Sequence, residues 1–148
     1  MRTFLFVILL TACNNDPVPM GGDTRPNFLG SWVNTGGSVL VTCPGMPQQT
    51  GMLAAGDLQI TIADGTGANA VTLTFASPPG CVVPATVSGN TATVGADHVC
   101  TVSGGTLIVK GGGTFTTSDG MNLNASFANQ LSGSDCTQQN TVAFTRGP

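Results

Sequence analysis

The chain has 148 residues, of which 41% are hydrophobic and 7% are charged, and its formal net charge at pH 7 is −3. So few cations could not neutralise a run of phosphates, which excludes nucleic-acid binding. Glutamate is absent and Lys110 is the single lysine, so few strong helix formers are present, whereas the abundant threonine and valine favour β-strands.

The first residues have the pattern of an export signal. Arg2 supplies a positive charge, residues 4–10 form a short apolar run, and small residues follow. The apolar run is shorter than the roughly 18 residues that a membrane-spanning helix needs. The quartet Leu10-Thr11-Ala12-Cys13 resembles the lipobox of bacterial lipoproteins. This resemblance implies a signal peptide at residues 1–12 that is removed, and a Cys13 thiol that is joined to membrane lipid.

The same resemblance implies a location for the protein. Asn14 follows the predicted lipidation site, where an aspartate retains many lipoproteins at the inner membrane. We therefore expect the protein in the bacterial cell envelope, lipid-anchored at the outer membrane. Cys13 is one of five cysteines, so its acylation would leave an even number for disulfide bonds.

The region after the lipobox divides into two parts. Residues 13–27 are rich in Pro, Gly, Asn and Asp, which predicts a lipidated N-terminus and a flexible tether that does not pack against the domain. Residues 28–148 contain no second linker of this kind. They are expected to form a single disulfide-linked β-domain, which at about 120 residues is long enough for a hydrophobic core.

From Phe28 onward, hydrophobic residues recur with the period of two that is typical of β-strands. Turn dipeptides such as Asp64-Gly65 and Gly89-Asn90 separate the alternating segments. The pattern predicts an all-β fold, an antiparallel up-and-down meander of about eight strands closed into a barrel. A two-sheet β-sandwich has the same alternation and remains the alternative.

One face of the predicted strands is apolar and is expected to point inward, and Met121 is assigned to this face. The inward residues that could line a ligand cavity are Leu58, Ile60, Val71, Leu73, Phe75, Leu123, Phe127 and Phe144. Ligand sites usually combine an apolar wall with a few polar groups, and the alternation indicates no convergent polar group here. The interior is therefore expected to be a filled core or, as the alternative, a cavity for a lipid-like molecule.

Four cysteines remain for disulfide bonds in an exported protein. Cys43 and Cys136 lie in the first and last strand regions, which are neighbours in a closed meander, and both have the parity of inward residues. Cys81 and Cys100 flank the turn at residues 89–90 at nearly equal distances. Of the three possible pairings, we predict Cys43–Cys136 and Cys81–Cys100.

A second resemblance concerns the two ends of the domain. Gly30-Ser31-Trp32 is similar to the Gly-x-Trp motif that begins the first strand of lipocalins and other calycin barrels. In that family an arginine near the end of the last strand packs over the tryptophan and closes one end of the barrel. Arg146 has the corresponding position, so the resemblance implies a lipocalin-like barrel with a structural Trp32–Arg146 pair. The family's Thr-Asp-Tyr motif has no counterpart, because the chain has no tyrosine.

The sequence contains no arrangement that indicates catalysis. Asp97 and His98 are adjacent, and adjacent side chains on a strand point to opposite faces, which disfavours a Ser–His–Asp relay. We expect His98 in a loop. Asp64 and Asn69 could supply oxygen ligands to calcium, but the same segment is also a hairpin-turn signal. We predict no catalytic residue, no metal site and no cofactor.

Two functions are consistent with these features. The first is a non-enzymatic cell-envelope lipoprotein whose barrel acts as a structural or interaction module. The alternative is a lipocalin-like carrier that binds a small apolar or lipid-like ligand inside the barrel. The predicted partners are membrane lipid, through acylated Cys13, and in the second case the apolar ligand. The sequence does not identify a protein partner.

Overall fold

The computed structural model describes residues 22–76, 79–102, 105–110, 112–131 and 133–148. The predicted signal peptide, Cys13 and most of the predicted tether lie outside these residues. The described part of the chain forms eleven β-strands and one three-residue 3-10 turn, Arg25–Asn27. No helix in this part is long and apolar enough to cross a membrane.

The strands, numbered in chain order, are β1 (Gly30–Thr42), β2 (Gln49–Leu53), β3 (Gln59–Asp64), β4 (Ala70–Phe75), β5 (Val82–Ser88), β6 (Thr91–Val94), β7 (His98–Val102), β8 (Gly105–Val109), β9 (Gly113–Thr116), β10 (Asn122–Leu131) and β11 (Thr137–Arg146). Eight of them close into an antiparallel barrel in the order β1, β3, β4, β5, β6, β9, β10, β11. The predicted all-β fold and up-and-down barrel are confirmed. Because β11 pairs with both β10 and β1, the sheet is closed, which excludes the two-sheet alternative.

Three strands are insertions into this meander. β2 pairs with the distal half of β1, beyond the point where β1 pairs with β3. The β7–β8 hairpin is inserted between β6 and β9, and β8 pairs with the end of β10. A β-bulge between Asn34 and Gly36 shifts the register of β1 against β11. At one end of the barrel, β1, β10 and β11 continue beyond the ring of eight strands. There β1 pairs with β2, and β10 pairs with β8.

The alternation of apolar and polar residues places the core inside the barrel. In β5, Val83, Ala85 and Val87 are buried, whereas the residues between them are exposed. β-branched side chains are favoured in strands, and each apolar group that leaves water adds roughly 25 cal/mol per Å². The period-two pattern therefore determines which face of each strand turns inward.

The inward assignment of Met121 is wrong. This residue is 58% exposed and lies in the turn before β10. Its backbone N–H donates to Oδ1 of Asp119 at 2.8 Å, so the turn extends one residue further than the alternation indicates. The strand pattern begins at Asn122, and Leu123 is the first inward residue of β10.

Candidate functional site

One end of the barrel, here called the closed end, is built around Trp32, which has no exposed surface. Its indole N–H donates to the carbonyl oxygen of Phe28 at 2.8 Å. The Arg146 guanidinium lies over the indole ring, 4.9 Å from the ring centroid, in the arrangement that the Gly-x-Trp resemblance implies. This contact contributes about 0.5 to 2 kcal/mol.

Arg146 also connects three segments of the chain at the closed end. Its guanidinium donates to the backbone carbonyl oxygens of Asn27, Leu29 and Gly120. Hydrogen bonds from a charged donor are stronger than those between neutral groups. The segment before β1, the turn before β10 and the last strand are thereby joined.

The last residues of the predicted tether belong to this closed end. The Thr24 hydroxyl donates to the carbonyl oxygen of Gly89 at 2.6 Å, and Asn27 accepts from Arg146. The expectation that residues 13–27 do not pack against the domain is therefore wrong for residues 24–27. Pro26 sets the backbone of the 3-10 turn, and this turn brings Phe28 over the core.

The centre of the barrel is filled. The predicted lining residues have exposures of 0% for Val71, Leu73 and Leu123, 1% for Ile60, 2% for Phe144 and 8% for Phe127. A side chain that faces a ligand-sized cavity keeps accessible surface towards it. Values near zero mean that protein atoms surround these residues, at the close packing typical of protein interiors.

The opposite end, here called the mouth, is less completely buried. Phe127 stacks on Phe115, with ring centroids 5.9 Å apart, and contacts Phe75 edge to face at 5.8 Å. Phe75 itself is half-buried, as are the predicted lining residue Leu58 and its neighbour Leu53. The mouth therefore has an apolar wall that the core does not cover.

Two buried carboxamides, which the alternation of apolar residues does not indicate, accompany this wall. Asn34 and Asn140 are 1% and 2% exposed. The Gln138 side-chain amide donates to Oδ1 of Asn140 at 2.9 Å. Asn34 lies two residues after Trp32 on the inward face, and Asn140 lies two residues before Val142. The strand parity alone could have identified both.

Asn34 holds the loop that joins β2 to β3. Its side-chain amide donates to the carbonyl oxygen of Ala54 at 2.8 Å, and its Oδ1 accepts from the N–H of Leu58 at 2.9 Å. Its backbone carbonyl accepts from Gly56. Buried polar groups cost free energy unless they are hydrogen-bonded, and among the described residues no buried side-chain N or O atom lacks a partner. Asn34 therefore fixes the position of β2 at the mouth.

Both predicted disulfide bonds are present in the structure. Cys43–Cys136 joins the segments just beyond the last paired residues of β1 and β11. Cys81–Cys100 joins the start of β5 to β7 and so fixes the inserted hairpin. Both bonds lie in the mouth half of the molecule.

The candidate catalytic and calcium residues do not converge. The prediction of His98 in a loop is wrong, because it begins β7, where Nε2 lies 3.0 Å from the carbonyl oxygen of Val82. Asp97 instead lies 3.4 Å from Nζ of Lys110, and Asp64 lies 3.7 Å from the guanidinium of Arg25. Within the described ranges, no three His, Cys, Asp or Glu residues are grouped as metal ligands.

A shallow depression of about 350 Å³ lies on the outer face of the barrel. Its polar lining includes Thr93, Thr114, Ser126, Gln139 and Lys110. The Gln139 amide donates to the Ser126 hydroxyl at 3.1 Å, so these polar groups are partly satisfied among themselves. The depression is open to solvent.

Comparison of the sequence with known proteins identifies no relative. No protein-family model and no curated protein matches the chain. The two ends of the barrel differ in geometry. The closed end is sealed by hydrogen bonds from the Arg146 guanidinium to backbone carbonyl groups. The mouth combines half-buried apolar side chains, two buried carboxamides and the strand β2, which among the described residues pairs with β1 alone.

Proposed function

We propose that this protein is a non-enzymatic lipoprotein of the bacterial cell envelope, anchored through Cys13, whose barrel is an interaction module with the mouth as its binding surface. The observation that carries the proposal is the difference between the two ends. The core is filled, and among the described hydrophobic side chains that pack half-buried against it, Phe75, Leu53 and Leu58 lie at the mouth whereas Leu29 alone lies at the closed end. Incompletely covered apolar surface is typical of interaction sites.

The position of the chain entry supports this orientation. The described residues begin at Gly22, and Thr24 is bonded to Gly89 at the closed end. About nine residues separate Cys13 from this point, which gives a reach of roughly 30 Å when fully extended. An anchor at Cys13 would therefore hold the closed end towards the membrane, and the mouth would face away from it.

Acyl labelling tests the anchoring. The full chain would be expressed in a bacterium fed an alkyne-bearing fatty acid, and the envelope would be separated from the soluble fraction. We expect label and envelope association in the wild type and loss of both in Cys13→Ala. Equal labelling of both proteins, or a wild type that is unlabelled and soluble, would contradict the proposal. A non-reducing gel would report disulfide formation in the same samples.

A second candidate function is a carrier of an apolar ligand, and the half-buried Phe75 beside Phe127 favours it. Because the centre of the barrel is filled, such a ligand would have to bind at the mouth. Burial of apolar surface at the mouth would supply most of the affinity.

A fluorescent fatty-acid probe separates the two candidates. It would be titrated against the oxidised protein, against Phe75→Asp at the mouth, and against Met121→Asp as an exposed control at the closed end. The carrier function predicts saturable binding that Phe75→Asp abolishes and Met121→Asp preserves. If the folded wild type does not bind the probe, the carrier function is excluded and the interaction module remains.

A further inference from the structure

The inserted strands leave two edges in the sheet. In the described part of the chain, β2 pairs with β1 alone and β7 pairs with β8 alone. The outer side of each strand therefore presents backbone N–H and C=O groups that no other strand satisfies. Such an edge can add a strand from another molecule, and proteins usually protect it with charges, proline or covering segments.

The edge of β7 is protected. Cys100 in this strand is bonded to Cys81, and the imidazole of His98 lies against the carbonyl oxygen of Val82. The ion pair between Asp97 and Lys110 stands at the start of the strand. These groups attach the β7 edge to the neighbouring β5 and place charges beside it.

Within the residues that the structure describes, the edge of β2 has none of these protections. Residues 49–52 are all exposed, and Met52 is 82% exposed. The strand contains no proline, and the chain has no charged residue between Arg25 and Asp57. A side chain added at Gly51 would meet no atom within 4 Å, so the face of the strand onto which it would project is open. Asn34 and the Cys43–Cys136 bond hold this exposed strand in place on either side.

We propose that β2 pairs antiparallel with β2 of a second copy of this chain, giving a two-fold symmetric dimer. Two identical strands related by a two-fold axis are complementary to each other in an antiparallel register in which one residue, such as Gly51 in the middle of β2, faces its own copy. The uncharged edge produces no repulsion between copies and offers no charge to select a charged partner. The dimer would join the β1–β2 sheets of both copies at the mouth.

This inference names the partner of the proposed interaction module, and so it rests on that function. A contact between two five-residue strands buries less than the roughly 1,200 Å² of a standard stable interface, so the dimer is weak in dilute solution. Anchoring through Cys13 would confine the copies to one surface and raise their effective concentration. Dimerisation is therefore stronger on the membrane than in solution.

Two lysine variants test the contact in solution. Met52→Lys places a charge on the β2 edge, and Met121→Lys places the same charge at a comparably exposed methionine of the closed end. Sedimentation velocity of the oxidised protein would be followed up to about 1 mM. We expect a monomer–dimer equilibrium that Met52→Lys weakens about tenfold, because like charges oppose each other on paired strands, and that Met121→Lys leaves unchanged.

A cysteine variant tests the contact on the membrane. Gly51→Cys in the full chain is expected to form a disulfide-linked dimer in the envelope, whereas Met121→Cys and the parent chain stay monomeric on non-reducing gels. The proposal is overturned if the protein stays monomeric at every concentration and Gly51→Cys gives no dimer. It is equally overturned if Met52→Lys leaves dimerisation unchanged, or if Gly51→Cys crosslinks to a different protein. Acyl labelling is read separately, so failure of the dimer leaves the anchoring result intact.

Discussion

The two ends of the barrel are stabilised in different ways. At the closed end, Trp32 is completely buried and Arg146 donates to the carbonyl oxygens of three residues in two separate segments of the chain. At the mouth, the apolar side chains are half-buried, and disulfide bonds and buried carboxamides hold the strands. One end depends on burial and backbone hydrogen bonds, the other on crosslinks and local polar contacts.

This difference indicates where the molecule can interact. Segments with few buried apolar contacts open locally at a lower free-energy cost than the core, and binding surfaces are drawn from such segments. A disulfide bond can hold an exposed strand in position without covering its backbone groups. The Cys43–Cys136 bond therefore allows the mouth to be both ordered and accessible.

The largest expected loss of stability comes from removing the Cys43–Cys136 disulfide bond. The bond closes a loop with a sequence separation of 93, against 19 for Cys81–Cys100. In the chain-entropy model, loss of the first costs about 4.6 kcal/mol and loss of the second about 3.2 kcal/mol. Double serine variants of each pair would be compared by guanidinium unfolding. Equal losses in the two variants would show that loop length does not govern their contribution.

Truncation of one aromatic residue at each end compares how much buried side chains contribute to stability at the closed end and at the mouth. Trp32→Ala removes a completely buried side chain and its hydrogen bond to Phe28, and should cost about 3 to 5 kcal/mol in the free energy of unfolding. Phe75→Ala removes a half-buried ring, so we expect less than half of that cost. Denaturant unfolding of both variants with the disulfides intact measures the difference. A greater loss from Phe75→Ala would reverse the assignment of the two ends.

Substitution of Arg146 should cause an intermediate loss of stability, with local opening confined to the closed end. Arg146→Leu keeps much of the apolar contact but leaves the carbonyl oxygens of Asn27, Leu29 and Gly120 without their donor, at a cost of about 2 to 3 kcal/mol. Arg146→Lys retains the charge but not the planar fork, and should recover part of this loss. Full recovery in the lysine variant would mean that charge alone determines the effect. Hydrogen exchange should show faster opening of residues 24–29 in Arg146→Leu.

The sequence is sufficient to predict an all-β fold because strand parity is a local property, but the alternation alone fits a closed barrel and a two-sheet sandwich equally well. The alternation in β5 and β10 identifies inward residues such as Val83 and Leu123. The parity of Cys43 and Cys136 leads to one correct disulfide pair, and the nearly equal spacing of Cys81 and Cys100 about a turn leads to the other. The contact between Trp32 and Arg146 was accessible only through a family resemblance, since the two residues are far apart in the chain.

Other features depend on contacts that the local pattern does not contain. The bulge after Asn34 shifts the register within a glycine-rich segment, where alternation carries little information. The β7 and β8 segments consist largely of residues that favour strands, so the local sequence alone does not reveal that they form an insertion. The exposed edge of β2 was missed for the same reason, because an edge is defined by the absence of a neighbouring strand. The half of the candidate site that involves Phe75 and Phe127 was predicted, and the half that involves β2 was not.

The smallest expected effect is a pH dependence of the free energy of unfolding. It arises at the closed end, where Asp119 shapes the turn that presents Gly120 to Arg146. Its carboxylate accepts hydrogen bonds from the backbone N–H groups of Asn122 and Met121, which lower its pKa below the ordinary value of 3.8. The folded state therefore binds this proton less readily than the unfolded state. The resulting stability is present above pH 3.8 and is lost as the pH falls below that value through the folded-state pKa.

Asp119→Asn separates this titration from the turn geometry, because the amide oxygen can still accept the backbone hydrogen bonds but carries no charge. The free energy of unfolding of both proteins would be measured between about pH 6 and about pH 3. We expect the wild type to be the more stable at the upper end and the difference to shrink on acidification. If the stability difference between the two proteins did not change with pH, Asp119 would bind its proton equally well in the folded and unfolded states. The turn would then hold Gly120 against Arg146 through its backbone conformation alone.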